Sequence, residues 1–264
     1  MKRLRQRILP PLLLLAILLV GWELLVRADT NRVHILPAPS AVLGAFFRDA
    51  HLLFTVHIPI TLLEAGLGLL IAILIGAGLA ALLDVSSPLK RAIYPLLILS
   101  QTIPIIAIAP ALILIFGFGI GAKVITVILF TFFPIAVALI DGLAATDPDY
   151  VALLRAMGAG RGRVWWAVRL PAALPSFFSG VRIAATYAIS GAILGEFITA
   201  QSGLGRYLRA SYNSGSTDAT FAAVGISALI SVALVVLVGI IERWLMPWFF
   251  TDARAAQWEE PGIY

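Results

Sequence analysis

The sequence predicts an all-α, polytopic membrane protein with six transmembrane helices, and three observations carry that prediction. Hydrophobic residues make up 61% of the 264-residue chain and charged residues only 12%, against roughly 45–50% and about 25% in soluble domains. Mean hydropathy is +1.00. The apolar residues gather into six long stretches, each close to the roughly 20 residues that a helix needs to cross a bilayer core of about 30 Å. No water-soluble fold of this length hides so much apolar surface, which argues against a disordered chain, a nucleic-acid binder and a cytosolic enzyme. The absence of cysteine removes disulfide and thiolate chemistry.

The first stretch, 8–26, follows Lys2, Arg3, Arg5 and Arg7. Its apolar run is too long for a signal peptide and no small-x-small cleavage site follows, so it reads as a retained helix, with a signal anchor as the alternative. Residues 27–57 form a long connection, in which the prolines of Leu36-Pro37-Ala38-Pro39-Ser40 force extended chain. Ser40 is then expected to cap a short amphipathic helix carrying Val42, Leu43, Phe46 and Phe47, a loose surface loop being the alternative.

The second span, 58–83, contains Glu64 and four glycines, Gly66, Gly68, Gly76 and Gly78, expected to permit close helix packing. The third, 92–116, is interrupted by Pro95, Pro104 and Pro110. The fourth, fifth and sixth are expected over 124–140, 177–200 and 221–241. Backbone groups in lipid must be satisfied internally, and turn residues are sparse in these runs, so each is read as a helix.

The net charge is +5, and its distribution follows membrane topology. Thirteen of the nineteen basic residues fall on the side that holds the N-terminus, against six (Arg27, Arg32, Arg48, Lys123, Arg206 and Arg209) on the other. Positive-inside asymmetry therefore predicts both termini in the cytoplasm.

The connection 141–175, between the fourth and fifth spans, is cytoplasmic in that topology and is more than a joint. Asp147 or Asp149 is placed to cap a short helix from about Tyr150 to Met157, and Gly158 and Gly160 supply a break. A second amphipathic helix with Val164, Trp165 and Val168 on one side is expected to stop at Leu170-Pro171. Two helices and a glycine corner suit a knob projected toward another protein.

Gly158, Val168, Leu170 and Pro171 fit the spacing of the cytoplasmic EAA signature of bacterial ABC importer permeases, although Ala152, Leu153 and Leu154 replace its opening residues. Leu36-Pro37-Ala38-Pro39-Ser40, Ile103-Pro104, Ala109-Pro110 and Phe116-Gly117-Phe118-Gly119 resemble the nitrate/sulfonate/taurine-type branch of that family. Phe132-Phe133-Pro134-Ile135, Gly180-Val181-Arg182, Gly195-Glu196, Gly203-Leu204-Gly205 and Ile241-Glu242-Arg243 continue the match. Thr61-Leu62-Leu63-Glu64 and Ser100-Gln101-Thr102-Ile103-Pro104 look more like the thiamine-precursor and riboflavin permeases of that branch.

The resemblance implies one permease domain over 1–264 in the cell (inner) membrane. It also implies a second permease copy as homodimer, two cytoplasmic ATPase subunits that bind ATP-Mg, and an extracytoplasmic substrate-binding protein. Arg155, Ala156, Met157, Gly158 and Ala159 would form the ATPase-docking knob. The chain itself is expected to be no enzyme and to bind no cofactor or metal: it shows no phosphate loop, no His-Glu-x-x-His and no Gly-x-Ser-x-Gly. His34, His51 and His57 lack metal-ligand spacing.

Polar groups within the spans mark the expected translocation path: Gln101, Thr102 and Pro104 in the third, and Thr186, Tyr187, Ser190 and Glu196 in the fifth. For Glu196 an interfacial role weighs equally, and Arg182 is expected to snorkel. Glu64 is read as one member of an ion pair or hydrogen bond within the bundle. The substrate reading leans to a heterocyclic vitamin or precursor. The alternatives are nitrate, sulfonate or taurine import by the same mechanism, or a proton-coupled secondary transporter using Glu64 or Glu196.

Overall fold

The computed structural model of the chain describes residues 2–28, 36–199 and 201–249. Arg32, His34, Ala200 and Arg254 lie outside the described residues, as do the side chains of Lys2, Arg3, Arg5 and Arg7.

All regular structure among the described residues is helical. The long apolar helices are α1 (Lys2–Ala28), α3 (Ile58–Val85), α6 (Ile120–Ala144), α9 (Leu170–Thr199) and α11 (Thr217–Leu245). Shorter helices are α2 (Pro39–Leu52), α4 (Ser87–Ser100), α5 (Ile105–Phe116), α7 (Pro148–Ala156), α8 (Arg161–Val164) and α10 (Leu204–Asn213). Five segments are long and apolar enough to cross a membrane, or six if α4 and α5 count as one bent span.

The third span is where regular geometry fails. At 1.5 Å per residue, α4 and α5 reach only about 21 Å and 18 Å, short of a bilayer core. They meet at a bend of 97° across Gln101–Pro104. Pro104 cannot donate to the ladder and disfavours helical geometry at Ile103, so the chain breaks there and α5 starts afresh.

Two prolines follow widened turns inside continuous helix, and at one of them, Pro171, the sequence predicts a stop. Residues Leu53–His57 and Trp165–Arg169 each form a π-helical turn. In both, an N–H bonds back five residues, Ile58 N to Leu53 O and Leu170 N to Trp165 O. Pro59 and Pro171 follow one residue later. The wider turn carries the helix past a ring that would clash with the carbonyl of an ordinary α-turn. Consequently α8 runs through its π turn into α9, where the sequence predicts a stop at Leu170-Pro171.

The centre of the bundle is α6, flanked by α3 and α9, with α11 laid along α9. Its contacts are made by small residues: Ala65, Ala72, Ala184, Ala185 and Ala188 are buried beside Val127 and Ile135. Lipid offers helices no hydrophobic drive to associate, so close backbone approach supplies the attraction instead. A Cβ at Gly180 would stand 2.6 Å from the Pro134 carbonyl oxygen, and one at Gly68 would stand 2.5 Å from Val127. Gly68 and Gly76 thus seat α3 on α6, while Gly66 and Gly78 face open space.

The connection after α1 differs in detail from its prediction. Ala38, not Ser40, is the N-cap of α2, and Pro39 occupies the first turn. Ser40 instead ties α2 to α1: its backbone N–H and its hydroxyl donate to Glu23 at 3.0 and 2.7 Å.

Candidate functional site

The α7 knob is built by its caps. Asp147 accepts the Asp149 N–H at 2.9 Å and starts the helix. At the other end Gly158 has φ +82°. Its N–H bonds to Arg155 O and the Ala159 N–H bonds to Leu154 O, both at 2.9 Å. This pair of bonds is a Schellman motif, which satisfies the last carbonyls of α7 and needs a residue tolerant of left-handed geometry. No residue of α7 is buried. Arg155, Ala156, Met157 and Gly158 are exposed, Met157 to 74%, and Ala159 is half-buried. Nine residues without a buried side chain are not held by a core of their own; they are presented.

Behind the knob, polar and charged side chains fasten helices together. Arg169 Nη1 donates to Asp84 Oδ2 at 2.8 Å, and its Nη2 to the Leu143 carbonyl at 3.0 Å. Tyr94 donates to Asp141 at 2.8 Å, joining α4 to α6. Arg182 pairs with the buried Glu242 and so joins α9 to α11. The snorkelling expected of Arg182 is corrected here: an uncompensated buried carboxylate costs several kcal/mol, and Arg182 neutralises it.

At the opposite end lies a fully buried polar cluster. Thr61 donates to Glu196 Oε1 at 2.7 Å and accepts the Leu204 N–H at 2.9 Å. The Gly205 N–H donates to Glu196 Oε2 at 2.7 Å, and the Gly203 N–H to His57 Nδ1 at 3.1 Å. Lys123 Nζ donates to Glu64 Oε1 at 2.5 Å. Gly203 has φ +105°, and a Cβ there would stand 2.2 Å from the Glu196 carboxyl carbon. Gly-Leu-Gly thus brings consecutive N–H groups onto α3 and α9, locking α10 across the end of the bundle.

Above this cluster a cavity of about 820 Å³ is lined by Arg48, Asp49, His57, Arg206, Tyr207 and Asp218, among others. Tyr207 donates to Asp49 at 2.7 Å. Burial, reinforced by that carboxylate, pushes the Tyr207 phenol above its ordinary range.

The expected path residues separate into two groups. Gln101, Thr102 and Pro104 are exposed at the α4–α5 bend, and Thr186, Tyr187 and Ser190 are exposed along one face of α9. The threonine hydroxyls are satisfied on their own helices, Thr102 on Leu99 O at 2.7 Å and Thr186 on Arg182 O at 3.1 Å. Glu196 is placed differently, at 0% exposure inside the bundle. Both of its oxygens are bonded, so it fastens the α9–α10 turn and faces no open space.

Sequence reasoning missed Arg169, Asp84 and the Thr61–Glu196–Gly205 cluster as units. The Gly-Leu-Gly spacing was the available signal for the last; the first two carry none, lying 85 positions apart.

A profile described as "Binding-protein-dependent transport system inner membrane component" matches residues 68–250. The chain is 37% identical to the formylaminopyrimidine transport permease protein ThiX of Halalkalibacterium halodurans, over 94% of this chain and 98% of the relative. It is 34% identical to the riboflavin transport system permease protein RibX of Chloroflexus aurantiacus, over 89% of this chain and 88% of the relative. Among solved structures, a chain of the MetNI methionine ABC transporter in inward-facing conformations is similar in fold. That match has a TM-score of 0.57 and 22% identity, covering 71% of this chain and 92% of that one.

Proposed function

We propose, on the premise that this chain belongs to the family of binding-protein-dependent transport system inner membrane components and is an ABC importer permease, that α7 is its ATPase-coupling element. Arg155, Ala156, Met157, Gly158 and Ala159 dock into a separate cytoplasmic ATPase, which binds and hydrolyses ATP-Mg. The observation that carries this reading is the exposed, doubly capped α7, which has no buried residue and is joined by the short corner 157–160 to α8, the helix that continues through its π turn into α9. Small residues allow close approach, Met157 adapts to a pocket, and Arg155 offers a planar donor to a carboxylate. Work comes from the partner and is transmitted here as a shift between two packings of the helices.

The remaining parts follow from that role. The termini and α7 lie in the cytoplasm, in keeping with the positive-inside count. The α9 face that exposes Thr186, Tyr187 and Ser190 lines the translocation path, and a second copy of the chain completes that path. The Thr186 hydroxyl is satisfied on its own helix, but the outward-turned hydroxyls of Tyr187 and Ser190 are better served by a wet path than by lipid. Gln101, Thr102 and Pro104 line that path at the α4–α5 bend. An external binding protein delivers the solute at the α10 end.

The solute is a heterocyclic vitamin or precursor, of the pyrimidine or flavin kind that the names of the two relatives record. Calorimetry of the binding protein that serves this permease checks it: preference for nitrate or an alkanesulfonate overturns the substrate reading. The driving force is tested in vesicles holding the chain, its ATPase and its binding protein. Uptake requires internal or external ATP on the knob side; uptake driven by a proton gradient without ATP would instead establish a secondary transporter.

A further inference from the structure

Movement of α7 has few routes into the membrane helices. Its principal contacts are with α8 and with the π turn Trp165–Arg169. That turn ends in Arg169, whose guanidinium spans two other helix ends. One arm meets Asp84, at the C-terminal end of α3, and the other meets the Leu143 carbonyl, in the last turn of α6.

Both acceptors are electron-rich for the same physical reason. Helix C-termini carry partial negative charge and unsatisfied carbonyls, and Asp84 adds a full charge where the dipole already disfavours one. The Asp84 side chain is 8% exposed, so water screens it little. Arg169 is the one cation within ion-pair distance of Asp84 among the described residues. The planar guanidinium reaches both acceptors in one geometry, which a lysine ammonium cannot reproduce. Arg155 of the knob lines the same cavity of about 630 Å³ as Asp84, Trp165 and Arg169, so docking and fastening occur side by side. The π turn itself is a bulge of the kind that gathers at functional positions.

We infer that Arg169 is the positioning residue through which displacement of α7 reaches α3 and α6, by holding Asp84 and the Leu143 carbonyl to the end of the coupling loop. This rests on the ATPase-docking reading of α7. Without the clamp, α7 can follow the ATPase while the ends of α3 and α6 stay behind. With it, the three helix ends move as one body, and α9 follows because it continues from the same turn.

The test uses the complete complex in vesicles, measuring solute accumulated per ATP hydrolysed and the amount of ATPase retained on the purified permease. Arg169→Gln is expected to lower solute per ATP at least about fivefold, the lower range of a site-to-site coupling, with the ATPase still bound. Arg169→Lys recovers part of the loss, since it keeps the charge at Asp84 and drops the second arm. In a double-mutant cycle, Asp84→Asn added to Arg169→Gln brings little further loss. Should the Gln variant not fold, the Lys variant and the cycle built on it carry the same readout. An unchanged ratio in the variants, or independent additive losses at positions 84 and 169, overturns the inference alone. Absence of ATP-driven uptake by the wild-type complex overturns the docking reading and this inference with it.

Discussion

Thr61→Val removes one oxygen from the fully buried cluster at the α10 end while keeping side-chain shape. Thr61 is 0% exposed, donates to Glu196 Oε1 at 2.7 Å and accepts from Leu204 N at 2.9 Å, with the His57 carbonyl a further acceptor at 3.1 Å. The first is to a carboxyl group and the second satisfies a backbone donor that has no water beside it. Each is a loss of about 1–3 kcal/mol when one partner is deleted. Helices unfolded within detergent find substitute partners, which trims such losses in membrane proteins. The expected destabilisation is therefore about 2–4 kcal/mol. Thr61→Ser keeps the hydroxyl and loses one methyl, at about 1 kcal/mol. Reversible unfolding in mixed micelles measures both variants, and hydrogen exchange at Leu204 locates the effect. A Thr61→Val protein within about 0.5 kcal/mol of wild type, with the Leu204 amide still protected, would refute the reasoning that this hydroxyl locks α10 onto the bundle.

Lys123→Met leaves Glu64 buried without its cation and is expected to destabilise by about 3–5 kcal/mol, whereas Glu64→Gln with Lys123→Met regains much of it; micelle unfolding of the single and double variants decides. Gly158→Ala meets nothing within 4 Å, so its cost is the left-handed backbone alone, about 1–2 kcal/mol, read as faster hydrogen exchange confined to 153–159. Cysteine introduced at Ser190 should react with a membrane-impermeant maleimide in the assembled transporter and be protected by solute. Cysteine at Glu196 should stay unreactive in any folded protein, because that position is buried and does not line the path.

The helices were legible because a bilayer imposes a length, and six apolar runs of that length leave few alternatives. The start of the fifth was harder to read. Pro171 carries the local signal of a helix boundary, but the π turn at Trp165–Arg169 absorbs the ring. That outcome depends on how α9 packs, which no short window contains. The knob was readable for a local reason: Asp147 and Gly158 are caps, and caps act within a turn. Arg182 was read as a snorkelling residue since its partner, Glu242, lies 60 positions away. Glu196 was placed near a path because an isolated carboxylate in a span needs water or partners; the partners were Thr61 and the Gly205 N–H, brought in by the α9–α10 turn.

The central claim is that α7 transmits the work of a separate ATPase to this bundle. The most direct measurement is solute accumulated per ATP hydrolysed after residues 155–159 are replaced by a glycine–serine segment of equal length. The account predicts that hydrolysis becomes detached from uptake and accumulation collapses toward the level without ATP. ATP-driven accumulation at the wild-type ratio would contradict it.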